Sequence, residues 1–132
     1  MLSITRQFRF DAAHKLERTE LSDQENQLLY GKCSALHGHS YTLEVTVSGP
    51  VDESGMIINF TELKKLVTDL VITRYDHAYL NELEEYRNEV VTVENMALHI
   101  FRTLSKASEF NDLTLLRIRL YETADSWATV TA

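Results

Sequence analysis

The chain has 132 residues, 44% hydrophobic and 25% charged, with a formal net charge of −7. That size and balance describe one globular domain over 1–132 with enough chain to bury a core. No Lys/Arg cluster offers a surface to phosphate backbones, which argues against nucleic acid as a direct ligand. The single cysteine leaves no intrachain disulfide, no apolar run reaches membrane length, and Met1–Arg6 lacks the basic start and apolar core of a leader. The expectation is a cytoplasmic protein with no membrane partner.

Residues 2–11 alternate as a strand. Leu2, Ile4, Phe8 and Phe10 share one face, with Arg6 among them; Ser3, Thr5, Gln7 and Arg9 share the other. The run ends at His14. Residues 15–32 are rich in charge and poor in Gly and Pro, and read as a partly ordered loop covering a pocket, with a short helix over 20–29 as the alternative. Residues 40–49 form a second strand with Tyr41, Leu43, Val45 and Val47 on one face. Gly49–Gly55 reads as a hairpin connection and Met56–Ile58 as a returning third strand. Asn59 caps a helix to about Thr73, with Glu62 completing a capping box and Leu63, Leu66, Val67, Leu70 and Val71 as its apolar stripe. Thr92 caps a second helix from Val93 to about Lys106; His99 falls off its buried stripe and reads as exposed. Leu113–Tyr121 and Ser126–Thr131 are the last strands. The pattern predicts an α+β domain: an antiparallel sheet with two helices on one face.

The chemistry concentrates at Cys33-Ser34-Ala35-Leu36-His37-Gly38-His39-Ser40-Tyr41. Residues i and i+2 of a strand point to one face, about 6–7 Å apart along the chain. His37 and His39 can therefore turn toward one ion. If the strand ending at His14 lies beside the strand beginning at His37, three imidazoles converge. Three neutral ligands with an open fourth position are what a catalytic Zn2+ site requires. Cys33 has three readings: a catalytic thiolate beside the metal, a fourth zinc ligand, or a buried small apolar residue.

Phe10-Asp11-Ala12-Ala13-His14 together with Cys33-x-x-x-His37-Gly38-His39-Ser40-Tyr41 resembles the 6-pyruvoyltetrahydropterin synthase family. The three-residue gap between the Cys and the H-G-H resembles its bacterial branch, 6-carboxytetrahydropterin synthase (QueD) of the queuosine pathway. The likeness continues through Gly55-Met56-Ile57-Ile58-Asn59-Phe60, Asp76-His77, Thr92-Val93-Glu94-Asn95 and Tyr121-Glu122-Thr123. Asn59 stands where the family usually has Asp, and the 15–32 segment is longer and more acidic than is usual in the bacterial branch.

The resemblance implies the T-fold and a homo-oligomer, trimer or hexamer, whose subunit sheets join into a barrel with active sites at the interfaces. It implies zinc on His14, His37 and His39. Cys33, Asp76 and His77 would move protons, with the Asp-His pair supplied across the subunit interface. Glu122 would anchor a pterin, whose adjacent N–H donors match a carboxylate; the alternative from the residues is a salt bridge to Arg117 or Arg119. Thr92 and Glu94 would be secondary binding residues. The implied reaction converts 7,8-dihydroneopterin triphosphate to 6-carboxy-5,6,7,8-tetrahydropterin with loss of triphosphate and acetaldehyde. The alternatives are the pyruvoyl synthase reaction on the same substrate, and a non-catalytic, zinc-stabilised pterin-binding oligomer. Lys15, Lys32 and Arg74 are candidates for the triphosphate.

Overall fold

The computed structural model describes all residues, Met1–Ala132. Four strands form one antiparallel sheet in the order β1-β2-β3-β4. They are β1 (Ser3–His14), β2 (His37–Ser48), β3 (Thr114–Thr123) and β4 (Ser126–Thr131). β1 pairs with β2 without interruption from Ser3↔Ser48 to His14↔His37. Alternation then sorts the side chains. Phe8, Phe10, Ala12 and His14 of β1, with Tyr41, Leu43, Val45 and Val47 of β2, are buried on one face. Arg6 shares that face as expected and donates to the carbonyl of Phe60 at its rim.

Two helical units cover this face. The first runs as α2 (Phe60–Val67), a π-helical turn Thr68–Ile72, and a short α3 (Thr73–Tyr75). The π turn is wider than an α turn, so residues four apart stay in register with the sheet. Leu63, Val67, Val71 and Tyr75 are accordingly all buried, whereas Leu70 of the expected stripe is exposed. Asn59 caps the unit through the N–H of Thr61. The second is α4 (Val93–Ser105), capped by Thr92, with Met96, Ala97, Ile100 and Leu104 buried against Ile118 and Leu120 of β3 in one cluster. Burying each of the larger side chains, Met96, Ile100 and Leu104, contributes about 1.5–3 kcal/mol.

Three expectations are corrected. Met56–Ile58 is not a strand. β2 is already paired on both sides, by β1 and β3, so no ladder position is open to it. Asp52 instead closes a tight turn with Ser54 and Met56, and Ile57 and Ile58 pack on the edge of the core. Residues 15–32 are not the partly ordered loop expected; the alternative of a short helix within them is met by α1 (Asp23–Tyr30). Asn26 is buried and clasps Arg18 through both its amide groups, and α1 starts with a full Ser22/Glu25 capping box. Finally, His99 is half-buried: its Nε2 lies 2.8 Å from a Glu89 oxygen and its ring meets Tyr86 edge-on.

Candidate active site

The unbroken β1–β2 register places His14 opposite His37, and Ala12 opposite His39. All three histidines therefore extend from the core face at one end of the sheet. Their ring centroids are 4.5–5.2 Å apart, and one ligand atom from each lies within 4.8 Å of the others. Ala12, the small residue between them, leaves the space they occupy.

Hydrogen bonds fix which nitrogens face inward. His14 Nδ1 lies 2.7 Å from the carbonyl of Val91, and His37 Nδ1 lies 2.7 Å from the carbonyl of Ala35. A carbonyl only accepts, so each Nδ1 carries the proton and each Nε2 presents a lone pair. His39 Nε2 is buried without a hydrogen-bond partner. An orphaned buried nitrogen beside two such lone pairs fits a bound metal ion. Burial drives the His14 pKa down to about 4, and burial also lowers that of His39, so both rings are neutral and ligand-competent at neutral pH.

The His14 shift has a consequence for the metal-free protein. The unfolded chain takes up a proton as pH falls through 6.5, while folded His14 resists until about 4. Stability is therefore full above 6.5 and declines between those values. Thermal unfolding of metal-free protein at about pH 7 and about pH 4.5 is expected to show a drop in Tm that shrinks in His14→Phe. An equal drop in both proteins would refute this role.

Glu122 continues the face of Ile118 and Leu120 by alternation, at a register shift in the β3–β4 ladder. Its Oε1 lies 3.5 Å from His14 Nε2 and 3.6 Å from His39 Nε2. It pairs with neither Arg117 nor Arg119; Arg119 reaches Tyr121 and Thr129 instead. Tyr41, fully buried and stacked on Phe10, places its hydroxyl 3.5 Å from His14 Nε2. Burial, then the Glu122 charge, pushes the Tyr41 pKa up, so it stays a phenol.

Asp76 and His77 lie elsewhere. The segment after α3 runs along β1, tied by His77 N–H to Asp11 carbonyl (2.6 Å) and Ala13 N–H to Ala78 carbonyl (3.0 Å). Asp76 accepts from the Asp11 N–H and lies 3.0 Å from His77 Nδ1. That backbone N–H, then His77, holds the Asp76 carboxyl below the usual range. His77 has φ +62 and an 80% exposed side chain. A left-handed histidine is strained, and here it presents an imidazole to solvent with a carboxylate fixed behind it. A cavity of about 440 Å³ connects it with Asp11, Ala13, Gly38 and Ser40, whose positions belong to the sheet face opposite the three-histidine face, and reaches Ala12 and His39 at the β1–β2 pair.

Cys33 is exposed, in a 3₁₀ turn (Gly31–Ser34) whose backbone is pinned to Leu16; the metal-competent group comprises the three histidines without it. The Thr92 hydroxyl is spent on the Asn95 N–H, and Glu94 is exposed in the first turn of α4. Of the triphosphate candidates, Lys15 is 3.3 Å from Glu17 and Arg74 is held by both oxygens of Glu85, whereas Lys32 makes no ion pair. The contributions of Val91, Ala35 and Asp11 carry no signal in the sequence, because backbone groups supply them.

The 6-pyruvoyl tetrahydropterin synthase family model matches residues 3–132. The chain belongs to that family. The chain is 38% identical over 124 residues to the 6-pyruvoyl tetrahydrobiopterin synthase of Drosophila melanogaster, covering 91% of this chain and 73% of that protein. It is 30% identical over 149 residues to the 6-carboxy-5,6,7,8-tetrahydropterin synthase of Haemophilus influenzae, covering 96% of each. In three dimensions it is similar to the Caenorhabditis elegans 6-pyruvoyl tetrahydropterin synthase, with TM-score 0.88 and 34% identity over 99% of this chain and 95% of that one. The T-fold expectation is met within the subunit: an antiparallel sheet carrying its helices on one face.

Proposed function

We propose that this protein is a zinc-dependent lyase that converts 7,8-dihydroneopterin triphosphate and one water to 6-carboxy-5,6,7,8-tetrahydropterin, triphosphate and acetaldehyde. The observation that carries the reading is the convergence of His14, His37 and His39, each ring neutral or fixed by a carbonyl, with a carboxylate alongside. Family membership supplies the substrate class. Zinc in such a shell supplies a Lewis acid for substrate hydroxyls.

The remaining work falls to side chains. Glu122 accepts the paired N–H donors of the pterin and fixes the ring plane. Cys33, as thiolate, removes a side-chain proton, and triphosphate departs from the adjacent carbon. His77 moves protons to and from the side-chain oxygens, with Asp76 holding it oriented and stabilising its cation. Thr92 and Glu94 border the pterin site, and unpaired Lys32, next to Cys33, receives triphosphate charge. Because Asp76 and His77 sit on the β1 edge, toward the opposite sheet face, they serve the histidine cluster of a neighbouring copy. The open edge of β4, the part of the β1 edge before Asp11, and the exposed Trp127, Leu28 and Leu36 support such an assembly.

The pyruvoyl product is the second reading. It is favoured by relatives of that name at 37–43% identity, against the three-residue gap between Cys33 and His37. A non-catalytic pterin-binding oligomer is the reading from another class. Mass analysis after incubation with zinc-loaded protein and dihydroneopterin triphosphate separates all of them. The expected product is the 6-carboxy pterin with acetaldehyde. A 6-pyruvoyl product assigns the other branch, and unchanged substrate removes the enzyme reading.

A further inference from the structure

The position of Glu122 is unusual for a group whose only task is to receive a pterin. Its Oε1 faces two imidazole nitrogens, 3.5 and 3.6 Å away. These separations exceed an ordinary N–H···O hydrogen bond of about 2.7–3.2 Å. Nor is a proton available on His14 Nε2, since the Val91 carbonyl holds the ring proton on Nδ1. His39 Nε2 is buried and unpartnered. A carboxylate oxygen held against the His14 Nε2 lone pair is repulsive unless a cation lies between them. Two ligand atoms about 2.0–2.2 Å from one ion at a tetrahedral angle stand about 3.3–3.6 Å apart. Both separations fall in that range. No cationic side chain competes for the carboxylate, which is 27% exposed and therefore able to move.

We infer that Glu122 is a ligand of the metal ion in the substrate-free protein, completing the shell of His14, His37 and His39, and that it leaves the ion for the pterin when substrate arrives. The second half rests on the pterin reading above; the first does not. One carboxylate cannot satisfy both partners in one position, so pterin recognition vacates the fourth site on the ion. The substrate's own hydroxyl then finds that site free. Before binding, the shell of three imidazoles and one carboxylate is closed, and water is not activated there. A molecule without the pterin ring cannot open the site, so recognition at one end of the substrate controls access at the other.

Cobalt(II) reports on this directly, because its visible absorption depends on its ligands. The protein is loaded with Co2+ alone and compared with Glu122→Gln, which preserves side-chain size at a partly exposed position. Glu122→Asp, which keeps the charge on a shorter arm, serves as the second variant. The expected result is a changed visible spectrum in Glu122→Gln and Co2+ affinity lowered by about 10–100-fold, with Glu122→Asp intermediate. Unsubstituted pterin, which has no side chain to reach the ion, is then titrated in. It is expected to shift the wild-type spectrum toward that of Glu122→Gln and to leave the variant's spectrum unchanged. Identical spectra and affinities for wild type and Glu122→Gln overturn the ligand assignment, whether or not pterin binds. A variant effect with pterin bound and the spectrum static overturns the exchange. A variant effect with no pterin binding to any form upholds the ligand assignment and fails the pterin reading instead.

Discussion

Replacing His37 or His39 with alanine is expected to reduce zinc from about one per subunit to background and to abolish turnover, while the subunit stays folded. The reasoning starts from the shell. Three imidazoles converge beside Glu122, and each variant removes one of them, leaving an incomplete shell that holds a divalent ion more weakly than the intact one. The fold survives because both residues lie at the end of β2, half-buried, outside the 22-residue core cluster. His14 is the poorer choice for this test. It is fully buried and bonded to Val91, so its removal also opens the packing between β1 and the start of α4. Metal content by elemental analysis, with circular dichroism on the same sample, checks the result. Undiminished zinc in both variants would remove the metal centre and the function built on it.

Cys33→Ala is expected to keep zinc and to lose turnover by about 10²-fold or more, the scale of a positioned acid or base. Cys33 is exposed on a pinned turn just before β2, outside the three-histidine group, so the shell does not need its sulfur. Parallel loss of zinc and activity would instead make Cys33 a ligand. His77→Ala is expected to fail equally, yet mixing the two inactive proteins should restore activity. His77 lines a cavity with Asp11, Ala13, Gly38 and Ser40, whose side-chain positions lie on the face opposite the histidines, and the cavity also touches Ala12 and His39. On the proposed reading a complete site draws on two copies. In a closed assembly formed by refolding equal amounts together, about a quarter of the sites would receive Cys33 from one variant and His77 from the other. Absence of any recovery under conditions where the subunits exchange would place the whole site within one chain.

Several parts of the fold and site were legible in the sequence because they depend on local periodicity. A period of two in β2 puts His37 and His39 on one face, and the same period carries Glu122 onto the face of Ile118 and Leu120. The caps at Ser22, Asn59 and Thr92 act within a few residues and follow from local chemistry; the first lay within the segment read as a loop. Other features were decided by pairing between distant segments. That His14 stands opposite His37 depends on β1 and β2 running twelve residues in register, which neither strand specifies alone. Met56–Ile58 has the composition of a strand but finds both sides of β2 occupied. The 15–32 segment looks solvated until Asn26 is buried against Arg18, a contact of one side chain with a particular backbone. The inward-facing nitrogens of His14 and His37 are set by two carbonyls, and every residue has one. Sequence alone determined which donors this protein owns and which face each one takes along its strand. Only the tertiary structure decided which of them share a few ångströms, because that depends on long-range register, which side-chain periodicity does not encode.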